Sequence, residues 1–425
     1  MLYHLSQWFE SEGWHFPGVG LFQFITFRVL MAVILSLIVT TIFGKKLINY
    51  LRRKQIGESV RDLGLAGEQQ KKGTPTMGGI IIIIAILIPT ILLADLTKVY
   101  IRLMIISTVW LGMIGFIDDY LKIRAKRRAQ ELGVAYKKGD SDGLAGKFKI
   151  FGQVMLGIIV GATLYFNPNV KIWREYQGDP ANARVPIYER QIDGKTRRFV
   201  EAKSFVTTIP FVKGHEFNYS RLLPTGLRDY TWVLYILVVI FIITAVSNGS
   251  NITDGLDGLA TGTSAIMGAG LGIFAYASGS LLFADYLNIM FIPNLGELSI
   301  FIGAMIGACV GFLWYNAYPA QVFMGDTGSL TLGGLIAALA IIVHKELLIP
   351  IICGVFLVEN LSVMLQVTYF KYTKRKYGEG RRIFLMSPLH HHYQKLGYHE
   401  AKIVTRFWIA TILCVVISIV TLKLR

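Results

Sequence analysis

Charged side chains are scarce in this chain: Asp, Glu, Lys and Arg make up 16% of it, against about 25% in ordinary soluble domains. That shortage excludes a soluble globular fold. Acidic residues are the scarcer sign, 27 against 43 Lys and Arg, which leaves a net charge of +16. No basic soluble segment gathers that charge into a nucleic-acid surface, so nucleic acid is excluded as a partner. Cysteine is scarcer still. Cys309, Cys353 and Cys414 all sit inside apolar runs without paired spacing, which excludes a disulfide framework and a cysteine zinc site. The first twenty residues hold no Lys or Arg. Without a positive n-region, and with the apolar run from Leu21 too long for a leader, that run is expected to be a retained span.

Apolar sequence is what the chain has in quantity. Of its 425 residues 53% are hydrophobic, and the mean hydropathy is +0.51. Ten apolar segments stand out, at 21–44, 77–94, 99–117, 148–166, 231–247, 259–277, 299–315, 328–343, 347–370 and 403–422. Each approaches the roughly 20 residues that a helix needs to cross the hydrocarbon. The fold class expected is an all-α polytopic membrane protein of about ten transmembrane helices, one integral membrane domain over residues 1–425. Gly303, Gly307 and Gly311 recur every four residues in the seventh segment and predict a close helix-packing face.

Lys45, Lys46, Arg52, Arg53, Lys54, Arg61, Lys71 and Lys72 crowd the first loop, which is therefore expected to be cytoplasmic. Alternation then places 118–147, 248–258, 316–327 and 371–402 on the same side and both termini outside. The 167–230 segment falls outside as a periplasmic insertion. Within Arg184 to Lys203, Asp193-Gly194 between two strand-like runs predicts a small β-hairpin.

The same alternation brings every unusual polar cluster to one face. Asn248 to Gly262 carries Asp254 and Asp257 with Gly255 and Gly258 beside them, and no Lys or Arg. The others are Lys71 to Gly79, Asp118 to Lys122, Asn316 to Ser329 and the triplet His390, His391, His392. Each alone has an ordinary reading as a solvated helix end, a cap or a turn. Together their acids outnumber the local bases, and two like charges about 4 Å apart repel by about 4 kcal/mol at an effective dielectric near 20. Gathering Asp118, Asp119, Asp254, Asp257 and Asp326 calls for a cation, and carboxylates beside phosphate oxygens suit Mg²⁺. Lys71, Lys72, Lys122, Lys147 and the histidines would donate to phosphate. Phosphoryl transfer at a membrane surface is the chemistry expected. Asn316 and Phe323 offer an amide and an aromatic face to a flat ring.

Five stretches carry a resemblance: Lys-Lys-Gly-Thr-Pro-Thr-Met-Gly-Gly (71–79), Gly-Phe-Ile-Asp-Asp-Tyr (115–120), Asn-Ile-Thr-Asp-Gly-Leu-Asp-Gly-Leu-Ala (251–260), the run 316–330 around Phe-Met-Gly-Asp, and Pro-Leu-His-His-His-Tyr (388–393). In this order they resemble the phospho-N-acetylmuramoyl-pentapeptide transferase family, from about residue 20 to the end. The resemblance implies transfer of phospho-MurNAc-pentapeptide from UDP to undecaprenyl phosphate, giving lipid I and UMP. It also implies Mg²⁺ and a homodimer in the bacterial inner membrane with a cytoplasmic site. On matching positions it implies Asp326 as metal ligand and Asp118 as acid-base residue with Asp119 beside it. Asn251, Asp254, Asn316 and Phe323 would hold uridine. Gly255 joins the substrate-binding set. Asp257, Lys71, Thr76, Lys122, Lys147 and the triplet would surround the diphosphate and sugar. The segments 167–230 and 123–146 are longer than the family core. Two alternatives are a related polyprenyl-phosphate N-acetylhexosamine-1-phosphate transferase and a secondary transporter. The triplet after Ser387-Pro388 weighs against the first, and the loop-level polar groups against the second. Glu359-Asn360 inside the ninth segment is expected to make a helix contact or line a lipid groove.

Overall fold

The structure, a computed structural model, describes residues 1–14, 18–54, 71, 73–131, 146–175, 186–192, 195–203, 206–211, 216–287 and 289–421. Among the described residues fourteen α-helices follow in chain order: α1 Leu2–Ser11, α2 Ile25–Arg53, α3 Gly79–Leu93, α4 Val99–Glu131, α5 Gly146–Phe166, α6 Thr231–Thr253, α7 Leu259–Ser278, α8 Leu281–Leu287, α9 Leu298–Asn316, α10 Gly325–Ile342, α11 Ile349–Ile352, α12 Gly354–Tyr377, α13 Leu389–Lys395 and α14 Glu400–Val420. Among the described residues eight helical spans are long and apolar enough to cross a membrane. The helix pair Glu346–Ile352 and Gly354–Tyr377 meets the same test across a 76° bend, and Gly79–Leu93 is a shorter apolar helix. All ten apolar segments read from the sequence therefore fall on helices, and the protein is an all-α polytopic membrane protein.

Almost every residue of α9 and α10 is buried, so these two form the middle of the bundle. Helix α2 packs against α9 along the glycine row, as the spacing predicts. A Cβ at Gly307 would sit 2.6 Å from the Val33 carbonyl oxygen, and one at Gly311 would meet Thr40 at 2.8 Å.

Four boundaries differ from the sequence expectation, and the first three bear on the site. Helix α4 continues past residue 117 to Glu131, because the Lys, Arg, Ala, Gln and Glu that follow are good helix formers with no Gly or Pro among them. Asp118, Asp119 and Lys122 are thus helical rather than in a loop. Helix α6 likewise runs through Asn251 to Thr253, and α10 begins at Gly325, which puts Asp326 in its first turn. The ninth segment is broken at Cys353 rather than continuous.

At the opposite end of the bundle lies the insertion. Strands β1 (Ile172–Glu175), β2 (Ile187–Ile192) and β3 (Lys195–Ala202) form an antiparallel sheet in the order β1-β3-β2. The expected hairpin is its β2-β3 pair, although the turn at Asp193-Gly194 lies outside the described residues, as does Lys72. Strands β4 (Val206–Thr208) and β5 (Glu216–Asn218) make a second, smaller pair. Trp173 fixes the sheet to the bundle, stacking on Tyr188 at 4.9 Å and donating its backbone N–H to the Phe291 carbonyl at 3.1 Å.

The same end holds a buried ion pair. Arg28 donates to both Glu297 oxygens at 2.6 and 2.8 Å and lies 4.1 Å from the Tyr3 ring centroid. Removing one partner of such a pair leaves a buried charge uncompensated. Arg28→Met is accordingly expected to cost about 3–5 kcal/mol of stability, read as a lower denaturation midpoint in detergent. An unchanged midpoint would contradict the pairing.

Candidate active site

The site forms where five separated pieces of chain meet at one end of the bundle. Residues 75–79 pair with the α9-α10 loop: Phe323 donates its N–H to the Pro75 carbonyl, and Gly78 and Gly79 donate to the Phe323 and Met324 carbonyls, all at 2.8 Å. Helix α4 approaches the start of α10 through Gly115, where a Cβ would overlap the backbone of Asp326 and Thr327. Three residues further on, one turn of helix, come Asp118 and Asp119.

Asp119 closes the N-terminus of α10. Its Oδ1 accepts from Asp326 N at 3.1 Å, and its Oδ2 accepts from Thr327 N at 2.9 Å and Thr327 Oγ1 at 2.6 Å. The first N–H groups of a helix have no partner within it, and a carboxylate there also complements the helix dipole. Met324 at the N-cap position makes no side-chain capping bond, so the cap comes from α4. The Gly325 φ of 72° lets the chain turn sharply into the helix.

Asp326 is thereby presented to Asp118. Lys122 Nζ lies 2.7 Å from Asp118 Oδ2 and 3.0 Å from Asp326 Oδ2. Lys149 Nζ lies 2.8 Å from the same Asp118 oxygen and also donates to Asp326. The other Asp326 oxygen accepts from Asn251 Nδ2 at 2.8 Å, and Asn251 also donates to Ser329 Oγ. Thr76 stands beside this turn, its Oγ1 3.1 Å from where a Cβ on Gly325 would lie. One oxygen from each of Asp118, Asp119 and Asp326 falls within a 4.8 Å group, which among the described residues is the metal-capable cluster.

A second cluster abuts the first. Asp257 is buried, accepting from Lys71 Nζ at 2.7 Å and from Ala320 N at 2.9 Å. Glu400 accepts from the same Lys71 Nζ at 2.6 Å and from Asp257 N at 2.7 Å. Burial works to lower the Lys71 pKa, but the neighbouring Glu400 and Asp257 outweigh it and raise it, so this ammonium stays charged through the neutral range. Phe323 presents its ring 6.0 Å from that ammonium.

The arrangement separates the residues singled out from the sequence. Five acids around one cation become three, because Asp257 is engaged with Lys71 and Glu400 instead, and Asp254 ends α6 outside the metal-capable group. Lys147 is exposed, and Lys149 two residues on is the lysine of α5 that reaches Asp118 and Asp326. Asn316 is buried, its side-chain oxygen accepting from Gly258 N and Thr261 Oγ1 and its NH₂ donating to the Val322 carbonyl. His390 is wholly buried against Glu359, whereas His391 and His392 are half-buried. His391 Nδ1 bonds Gln394 Oε1 at 2.7 Å, and His392 Nδ1 accepts from Leu385 N at 3.2 Å. Glu400 and Lys149 were not singled out from the sequence. The two lysines give a direct check. Lys149→Ala is expected to lower turnover by about a hundredfold, and Lys147→Ala by less than about twofold; equal losses would contradict the placement.

A bundle of apolar helices ending in carboxylates and lysines defines a polytopic membrane transferase, and residues 190–344 match the family model described as glycosyl transferase family 4. Residues 71–83 match phospho-N-acetylmuramoyl-pentapeptide-transferase signature 1. Similar proteins include the phospho-N-acetylmuramoyl-pentapeptide-transferases of Flavobacterium psychrophilum and Flavobacterium johnsoniae, 58% and 57% identical over 428 residues, and that of Parabacteroides distasonis, 54% identical over 443, with all of each chain covered in every case. The chain belongs to the phospho-N-acetylmuramoyl-pentapeptide transferase family. Because the first two alignments span both chains wholly in 428 positions, the long 167–230 segment has its counterpart in those relatives.

Proposed function

We propose that this enzyme transfers phospho-MurNAc-pentapeptide from UDP-MurNAc-pentapeptide to undecaprenyl phosphate, giving lipid I and UMP, from the cytoplasmic face of the bacterial inner membrane. The observation that carries the reading is the Asp118, Asp119, Asp326 cluster with Lys122 and Lys149 at the end of an apolar bundle. Three carboxylates against two ammonium groups leave negative charge uncompensated, and an all-oxygen donor set fits Mg²⁺. Asp326 and Asp118 would hold the ion. Once bound, it would supply a positive charge that stabilises the transferring phosphoryl group.

The chain's own residues supply the rest. Lys122 and Lys149 exchange their carboxylate contacts for phosphate oxygens. Asp118 takes up the proton of the attacking lipid phosphate, and Asp119 fixes the turn that presents Asp326. Phe323 stacks the uracil, with Asn251, Asp254 and Gly255 around the nucleoside, while Lys71, Thr76, Asp257 and His391 bound the diphosphate and sugar. Both termini face the periplasm in this reading, and the enzyme is a homodimer.

Purified protein with undecaprenyl phosphate and Mg²⁺ is expected to release UMP from UDP-MurNAc-pentapeptide and not from UDP-GlcNAc. The reverse preference would favour the related hexosamine-phosphate transferase. EDTA is expected to abolish release and excess Mg²⁺ to restore it; release unaffected by EDTA would remove the metal from the account.

A further inference from the structure

Glu359 is a carboxylate in the membrane-spanning part of α12, fully buried, on a helix whose other side exposes Leu357, Val358, Leu361 and Leu365. An acid in such a place persists only with strong partners. Its partners are the start of α13: Glu359 Oε2 accepts from Leu389 N at 2.8 Å, and Oε1 accepts from His390 N at 3.2 Å. These are the orphan donors of a helix N-terminus, and Pro388 at the N-cap position has no side-chain acceptor to offer them. His390 Nδ1 lies 3.2 Å from Glu359 Oε2. The His390 ring then presses on Gly255, where any Cβ would overlap Nε2. Gly255 stands between Asp254 and Asp257, and the seven residues of α13 carry His391 and His392. One carboxylate thus ties the spanning helix to two pieces of the active site.

We infer that Glu359, acting through His390, is a positioning residue for phosphoryl transfer: it sets the orientation of α13, and with it His391, and braces the loop that carries Asp254 and Asp257. This deepens the proposed function and rests on it. A Gln at 359 keeps the volume but offers one accepting oxygen and turns an NH₂ toward a donor. Of the residues proposed around the nucleoside, Phe323 and Asn251 lie, among the described residues, outside the hydrogen bonds and ion pair of Glu359 and His390, so most of the binding should survive while the reacting groups are misaligned.

The test measures UMP release by the full chain in detergent, with turnover expressed per folded molecule. Glu359→Gln is expected to lower kcat about a hundredfold with the KM for UDP-MurNAc-pentapeptide within about threefold of wild type. His390→Gln keeps Glu359 and its bond from Leu389 N but removes the ring that presses on Gly255, and is expected to give the same split; it carries the test should Glu359→Gln not fold. Combining Glu359→Gln with His390→Gln is expected to add less than about threefold to the larger single loss, since contacting residues are not additive. Turnover per folded molecule within about twofold of wild type in both Glu359→Gln and His390→Gln, or losses that multiply in the double variant, would overturn the inference. A wild-type protein that releases no UMP would instead overturn the functional reading and the inference with it.

Discussion

Asp326→Asn is expected to lower UMP release by about 10³-fold while the protein still purifies as a folded species. The side chain keeps its size, and Asn251 and Ser329 remain beside it. What is lost is the charge that faces Lys122 and Lys149. With it goes an oxygen donor of the proposed Mg²⁺ site, so the residual activity should need far more Mg²⁺, and Mg²⁺ should no longer raise the melting temperature as ligand binding does. Full activity in this variant would remove Asp326 from the metal site.

Asp118→Asn is expected to cost as much, about 10³-fold in kcat, and, because Asp118 is the other proposed ligand, to share the raised Mg²⁺ requirement while also removing the proton acceptor. Asp118 is fully buried, and the two lysines that hold it also hold Asp326. An asparagine there takes up no proton, so the loss should fall on kcat, with the affinity for UDP-MurNAc-pentapeptide unchanged within about threefold. A raised KM at unchanged kcat would assign Asp118 to binding instead.

Much of this was legible in the sequence because hydropathy and loop charge report on helices directly. Ten apolar runs became ten helical segments, and alternation correctly grouped Lys71, Asp118, Asp257, Asp326 and the histidine triplet at one end. Phase within a helix was not legible. Lys147 and Lys149 are two positions apart on α5, so they point to nearly opposite sides, and composition alone does not say which faces α4. The same 100° step separates the histidines of the triplet, which is why His390 turns inward to Glu359 while His391 and His392 stay half-buried. Long-range pairing was equally hidden. Glu400 reads as an ordinary acid in the first turn of a helix, and only the fold brings it to Lys71 and Asp257. Asp119 reads as a twin of Asp118, yet adjacent positions on α4 send one to the lysines and the other to the backbone of α10.

The central claim is that carboxylates from α4 and α10 jointly hold one divalent ion. Soaking crystals of the protein with Mn²⁺ in place of Mg²⁺ and recording anomalous scattering tests it most directly. A single strong peak within coordination distance of both Asp118 and Asp326 is the predicted result. A peak that touches neither, or no peak in crystals whose dissolved protein is active with Mn²⁺, would contradict it.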